Sequence, residues 1–424
     1  MISTATQALG RRAQAKLDAL AAISADDDRI NRLYLTPEYR RAANLVAGWM
    51  ADIGLEVHED ALASVHGRLA PTLAGGSNRR LLIASHIDTV IDAGMYDGCL
   101  GVVAGLIAVD EIRKRGLRLP FGIEVVAFGD EEGVRFPTTL SSSTALAGAF
   151  DAASLDKPGI DGVSLRQALT AFGKDPGEIA AAAADPASLI GYVEVHIEQG
   201  PVLEHEGEAL GVVTSIAGQS RYRITVSGEA GHAGTVPMGL RHDAMMATAE
   251  ICGLIEAEAR AGNAAHGLVA TVGTLQVKPG AVNVIPAEVT FTLDIRAASD
   301  APRLAAIETI RAGIDGICAR RGTRWRWEKF LDQPTTPMND GLQALLTEAV
   351  TGLGGKGRRL ASGAGHDAMA LAPVTDTAML FVRSRGGISH NPAEFSSVDD
   401  MGLAIEALIR FIEGLARREI ARAG

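Results

Sequence analysis

Four short segments of this chain set histidines and carboxylates at the ends of strand-like runs. Ser85-His86-Ile87-Asp88-Thr89 follows the apolar run Leu81–Ala84, and Tyr96-Asp97-Gly98 places a second carboxylate eleven positions after His86. Gly129-Asp130-Glu131-Glu132-Gly133, Glu194-Val195-His196-Ile197-Glu198-Gln199-Gly200-Pro201 and Ser389-His390-Asn391-Pro392 have the same character. Three histidines and several acids of this kind form a ligand set for two divalent metals, which points to an enzyme. The neighbouring Glu131 and Glu132 would be costly in a cleft without a cation. With one, a glutamate can ligate while its neighbour, pointing elsewhere, handles protons. Asp88, two positions from His86, is placed to accept the other ring proton and fix the metal-binding tautomer. Nitrogen and oxygen ligands without cysteine make zinc the first choice, with manganese, cobalt or nickel also able to occupy such a site.

Taken singly, each segment has a plainer explanation. Asp130-Glu131-Glu132 alone reads as a solvated acidic loop, and His86 alone as a core histidine with satisfied nitrogens. Four such segments, each at a strand terminus, reverse that balance. In open α/β sheets, ligands gather beyond the carboxyl ends of the strands, so residues far apart in sequence can converge there.

The elements that must position them alternate. Leu81–Ser85, Ile123–Phe128 and Tyr192–His196 are short apolar or β-branched runs, and Leu100–Arg115 has the length and composition of a crossover helix. This is the βαβ pattern of a mostly parallel, buried sheet. It resumes with a helix over Asp340–Leu353, a strand over Thr377–Val382 and a helix over Val398–Ala416. Between them, Arg221–Gly228, Leu268–Val277 and Val289–Arg296 alternate polar and apolar residues, with helical stretches at Arg241–Ala261 and Pro302–Arg321. That pattern predicts an antiparallel sheet with one covered face. The expected architecture is therefore α/β: residues 1–216 and 331–424 form a catalytic domain, and 217–330 an inserted α+β domain. The alanine-rich Ala180–Ala184 is expected to be helical.

Bulk properties narrow the function. The 424 residues are 47% hydrophobic, enough for two or three domains with their own cores. A net charge of −11 argues against a nucleic-acid surface. No apolar stretch reaches membrane-spanning length, and no signal-peptide core is visible at the N-terminus. Cys99, Cys252 and Cys318 form no CxxC and are odd in number, which suits a reducing cytoplasm. Cys99 reads as a small helix-start residue rather than a ligand.

With these residues in view, the chain resembles the di-metal amidohydrolases that cleave ureido groups. These are N-carbamoyl-L-amino-acid hydrolase, allantoate amidohydrolase and β-ureidopropionase, within the wider clan of zinc aminopeptidases and carboxypeptidase G-like enzymes. The similarity runs from about Leu35 to the last helix. Its sharpest element is His196 in Val193-Glu194-Val195-His196-Ile197-Glu198-Gln199-Gly200-Pro201, where peptidase relatives usually carry a carboxylate.

The resemblance implies that Asp97 bridges two metals, His86 and His196 completing one site and Glu132 and His390 the other. Glu131 would be the general acid/base. The inserted domain would be a lid and the interface of a homodimer, with His232, in Gly231–Thr235, reaching the neighbouring subunit's active site. Asn283 and Arg296 match positions that bind the substrate carboxylate, while Gln199 and the Gly363–Asp367 loop, Gly365 within it, would line the pocket. Ser142-Ser143-Thr144 departs from the Gly-Ser-Arg common among relatives, which bears on the far end of the substrate. The implied substrate is a small ureido acid, with allantoate or an N-carbamoyl-L-amino acid ahead of N-carbamoyl-β-alanine. The rival readings are a peptidase or aminoacylase using the same metals, and a non-catalytic metabolite-binding protein.

Overall fold

Four strands carry nearly unbroken apolar runs because both of their faces are covered. The computed structural model describes residues 2–423. In it Arg80–His86 lies between Gly122–Phe128 and Leu189–Ile197, parallel to both, and Thr377–Val382 lies parallel to Leu189–Ile197 on the far side. Nearly every residue of the four is buried, as expected for the centre of a parallel sheet flanked by helices. Antiparallel strands extend this centre: Val65–Leu69 and then Glu56–Glu59 beside Gly122–Phe128, and Leu210–Ile216 beside Thr377–Val382. The helix Cys99–Lys114 is the crossover between the first two parallel strands and buries most of its residues, Leu100, Val103 and Ile107 among them. Thr4–Ala21 and Val398–Ala423 pack against each other and against that crossover helix.

The chain divides into two compact units, Met1–Thr214 with Met338–Leu360 and Gly365–Gly424, and Ser215–Pro337 with Ala361–Ala364. The smaller unit is built on an antiparallel sheet ordered Arg324–Gln333, Gly218–Ser227, Glu288–Ala297, Val269–Lys278. Burial alternates strictly along Glu288–Ala297, so one face is apolar. Phe291, Leu293 and Ile295 on that face form a core with Ile251 and Ile255 of helix Ala244–His266 and Ile310 and Ile314 of helix Asp300–Arg321. The expected mixed architecture, a mostly parallel central sheet plus a separate antiparallel sheet, is what the chain adopts.

One local expectation holds only in part. Ala180–Ala184 does not form an α-helix: a 3₁₀ segment covers Pro176–Ala182, and Ala183 turns extended. The N–H of Ala184 goes to the carbonyl of Leu146 instead of continuing a helix. A tertiary hydrogen bond here outweighs alanine's helix propensity, which is a weak preference over so few residues.

A charge inside a buried strand needs partners, and Glu124 has several. His66 donates from Nδ1 to Glu124 at 2.9 Å and from Nε2 to Asp60 at 3.3 Å, and Arg68 and Arg80 also donate to Glu124. Burial disfavours the charged imidazole, but the two carboxylates outweigh it and push the His66 pKa up to about 9. The same contacts overcome the burial of Glu124 and pull its pKa down to about 2. His66 therefore stabilises the fold fully below its unfolded-state value of about 6.5, and that contribution is lost as pH rises through about 9. The melting temperature should fall across this window in the wild type, and His66→Gln should remove that part of the slope. Parallel Tm–pH curves for the two proteins would refute the charged bridge.

Candidate active site

Parallel strands deliver their carboxyl ends to one edge of a sheet, and the four histidine- and acid-bearing segments all leave from that edge. His86 is the last residue of its strand, His196 the penultimate residue of Leu189–Ile197, and Gly129–Glu132 follow Phe128 directly. His390 stands in the loop after Thr377–Val382, and Asp97 just before the crossover helix begins at Cys99. Gly98 between them adopts φ 63°, and a β-carbon there would come within 2.4 Å of the His86 ring. Only glycine permits that approach.

These residues meet. His196 Nε2 lies 3.1 Å and His86 Nε2 3.5 Å from Asp97 Oδ1. His390 Nε2 lies 3.4 Å from Asp97 Oδ2 and 3.4 Å from Glu132 Oε2. Asp97 thus turns one oxygen to each of two groups, His86 with His196 and Glu132 with His390. Ligands at ~2.1 Å around a tetrahedral cation stand roughly 3.4 Å apart, so these spacings suit metal coordination. Glu131 faces His86 instead, its Oε2 3.8 Å from Nε2.

The electrostatics point the same way. Among the described residues, no lysine or arginine pairs with Asp97, Glu131 or Glu132. Burial, reinforced by the Asp97 carboxylate, pushes Glu132 up to about 7. Burial, with the charges of Glu132, Asp367 and Asp97, holds Glu131 well above the usual carboxylate range. Burial disfavours charge on His86, but Glu131, Asp88 and Asp97 together raise its pKa well above normal. Burial opposes ionisation of Asp97 too, yet its histidine partners hold it well below its usual value. A buried cluster with this excess of carboxylate is relieved by bound cations, and the donor set fits two of them.

The ring orientations are fixed from behind. His196 Nδ1 donates to its neighbour's carbonyl, Ile197 O, at 2.9 Å, which leaves Nε2 toward Asp97. For His86 the expected partner is corrected in detail. Nδ1 meets the main-chain carbonyl of Asp88 at 3.1 Å, and the Asp88 carboxylate stands farther off at 3.6 Å. That carboxylate instead accepts the backbone N–H groups of Glu131 and Glu132, both at 3.3 Å. The loop reverses so tightly after His86 that the carbonyl comes first, and the side chain is left to order the acidic loop.

Other supports were not legible beforehand. Asp130, Gln199 and His390 all adopt positive φ, between 52° and 60°, an uncommon conformation for residues other than glycine. Such strain persists where the surroundings over-determine it, and it commonly marks functional sites. Ser142, part of the serine run that replaces Gly-Ser-Arg, accepts the Gly129 N–H, and Ser141 donates to Asp130, so that run underpins the acidic loop. Glu194, wholly buried, accepts from Tyr192, Ser85 and the Ala368 N–H, and His366 meets the His196 ring edge-on at 4.4 Å. A carboxylate interrupting a buried strand was the available signal for Glu194. Cys99 opens its helix, its sulfur accepting from Arg32.

The remaining candidates fall in two places. Gln199 donates to Asp97 Oδ2 at 2.7 Å, and Gly365 lies exposed in the larger unit. His232, Asn283 and Arg296 belong to the smaller unit. There His232 is exposed and pairs across a short two-stranded ladder with Val284, beside Asn283. Arg296 forms a bidentate ion pair with Asp294 and donates to the Gly363 carbonyl at 2.7 Å.

The sequence model of Peptidase family M20/M25/M40 matches residues 82–414, and the chain belongs to this family of metal-dependent hydrolases acting on C–N bonds. Within it, the chain is 41% identical to allantoate deiminase of Arabidopsis thaliana, over 95% of this chain and 81% of that protein. It is 39% identical to N-carbamoyl-L-amino acid amidohydrolase of Geobacillus stearothermophilus, over 92% and 94%. Among solved structures, an amidase of the hydantoinase/carbamoylase family from Burkholderia multivorans superposes with a TM-score of 0.88 at 32% identity, over 96% and 98%. The resemblance drawn from His196 and its neighbours is thereby upheld. No helix among the described residues is long and apolar enough to cross a membrane.

Proposed function

We propose that this protein hydrolyses the ureido group of a small carboxylic acid, releasing ammonia and carbon dioxide and leaving the free amine. Allantoate and N-carbamoyl-L-amino acids, the substrates named for its relatives, are the preferred candidates. The observation that carries this reading is Asp97 turned with one oxygen toward His86 and His196 and the other toward His390, beside Glu132. His86, His196, Asp97, Glu132 and His390 would hold two divalent cations, zinc first, which lower the pKa of the attacking water and polarise the ureido carbonyl.

The chain's own groups do the rest. Glu131, half-buried with its Oε2 3.8 Å from His86 Nε2, takes the proton of the attacking water and returns it to the leaving nitrogen. His232 is assigned to the developing oxyanion, where a donor gains most as charge appears in the transition state. Arg296 and Asn283 are assigned to the substrate carboxylate, with Gln199 and Gly365 lining the pocket. The Arg296 fork suits two carboxylate oxygens, and its ion pair with Asp294 holds it in one orientation. Arg296→Ala should therefore raise KM for acid substrates far more than it lowers kcat; an unchanged KM would remove Arg296 from substrate binding. The smaller unit would act as lid and homodimer interface in the cytoplasm.

Ammonia release from allantoate, N-carbamoyl-β-alanine and a panel of N-carbamoyl-L-amino acids, beside N-acetyl amino acids and dipeptides, tests the reading. Turnover confined to the acetyl or peptide compounds would overturn it.

A further inference from the structure

Two loops far apart in the chain, one carrying Asp97 and the other His390, are joined by a carboxylate outside the ligand set. Glu394 Oε1 accepts the backbone N–H groups of both Tyr96 and Asp97, at 2.9 and 3.1 Å. Its other oxygen takes the Ser389 hydroxyl at 2.9 Å, and that hydroxyl also lies 2.8 Å from Asp97 Oδ2. Gln199 Nε2 completes the group, 2.7 Å from Asp97 Oδ2 and 3.2 Å from Ser389 Oγ. Glu394 is 5% exposed. The chain makes room for it at Gly94, where a β-carbon would fall 2.2 Å from Glu394 Oε1.

We infer that Glu394 is a positioning residue for the metal pair: through two backbone N–H groups and Ser389 it sets where the shared carboxylate of Asp97 stands relative to His390. The inference rests on the metal-site part of the function proposed above. The Ser389 hydroxyl has one proton and two carboxylates to choose between. With Asp97 engaged as a metal ligand, that proton would go to Glu394, with the Ser389 lone pair facing the Gln199 amide. The carboxylate thus holds the Asp97 backbone from behind and, through Ser389, the start of the His390 turn. An outer partner of this kind usually contributes ten- to a hundredfold in metal affinity.

The test is a zinc titration of metal-stripped full-length protein against a competing chelator, with folding checked by circular dichroism. Glu394→Ala should bind zinc at least about tenfold less tightly than wild type. Glu394→Gln guards against a misfolded alanine variant. Its amide oxygen still accepts the two N–H groups, but its NH₂ cannot accept the Ser389 proton, so a loss intermediate between wild type and Glu394→Ala is expected. Wild-type zinc affinity in either folded variant overturns the inference. The titration never sees substrate, so failure of the proposed reaction and failure of this inference are read separately.

Discussion

Replacing Glu131 with glutamine should lower kcat for ureido-acid hydrolysis by at least about a hundredfold, the lower range for a general acid–base group. That corresponds to about 2.7 kcal/mol of barrier. The substitution keeps shape and volume and removes only the ability to take and return a proton. Glu131 suits that task because burial and three neighbouring carboxylates, Glu132, Asp367 and Asp97, all favour its protonated form. It faces His86, whereas Glu132 faces His390, so the two adjacent glutamates are already divided between roles. The Gln variant should therefore retain two zinc ions per chain and a near-normal KM. Turnover within a few-fold of wild type, at full metal content, would take Glu131 out of the mechanism.

Removing the metals should have the larger effect still. Prolonged chelation should bring turnover to background, and added zinc or manganese should restore it. Without cations, Asp97, Glu131 and Glu132 crowd together with the buried His86 and His196 and the exposed His390, and protons settle on the groups that catalysis needs free. Glu132 is already pushed up to about 7, and His390 to about 9, mainly by its hydrogen bond to Asp97. Cation binding to the folded chain alone should also raise the melting temperature. Asp97→Ala, which removes the one carboxylate common to both ligand groups, should not be rescued by either metal. Full turnover by protein whose metal content is below detection would defeat the two-cation site.

Much of this protein was legible in its sequence. The apolar runs Leu81–Ala84 and Thr377–Val382, and Ile123–Phe128 broken only by Glu124, carry the pattern of strands covered on both faces, as in a parallel sheet. Their carboxyl ends then share one edge, so His86, Glu131, Glu132, His196 and His390 could be expected together before any distance was known. Residue type and placement relative to a strand end are local properties, which is why they survive in one dimension. The partners of these groups are not local. Whether the carbonyl or the carboxylate of Asp88 meets His86, which glutamate faces His390, and how Glu394 reaches the backbone of Asp97 depend on loop conformations such as the left-handed turns at Asp130, Gln199 and His390. Packing imposes those conformations against the residues' own preference, so only the folded chain could decide them.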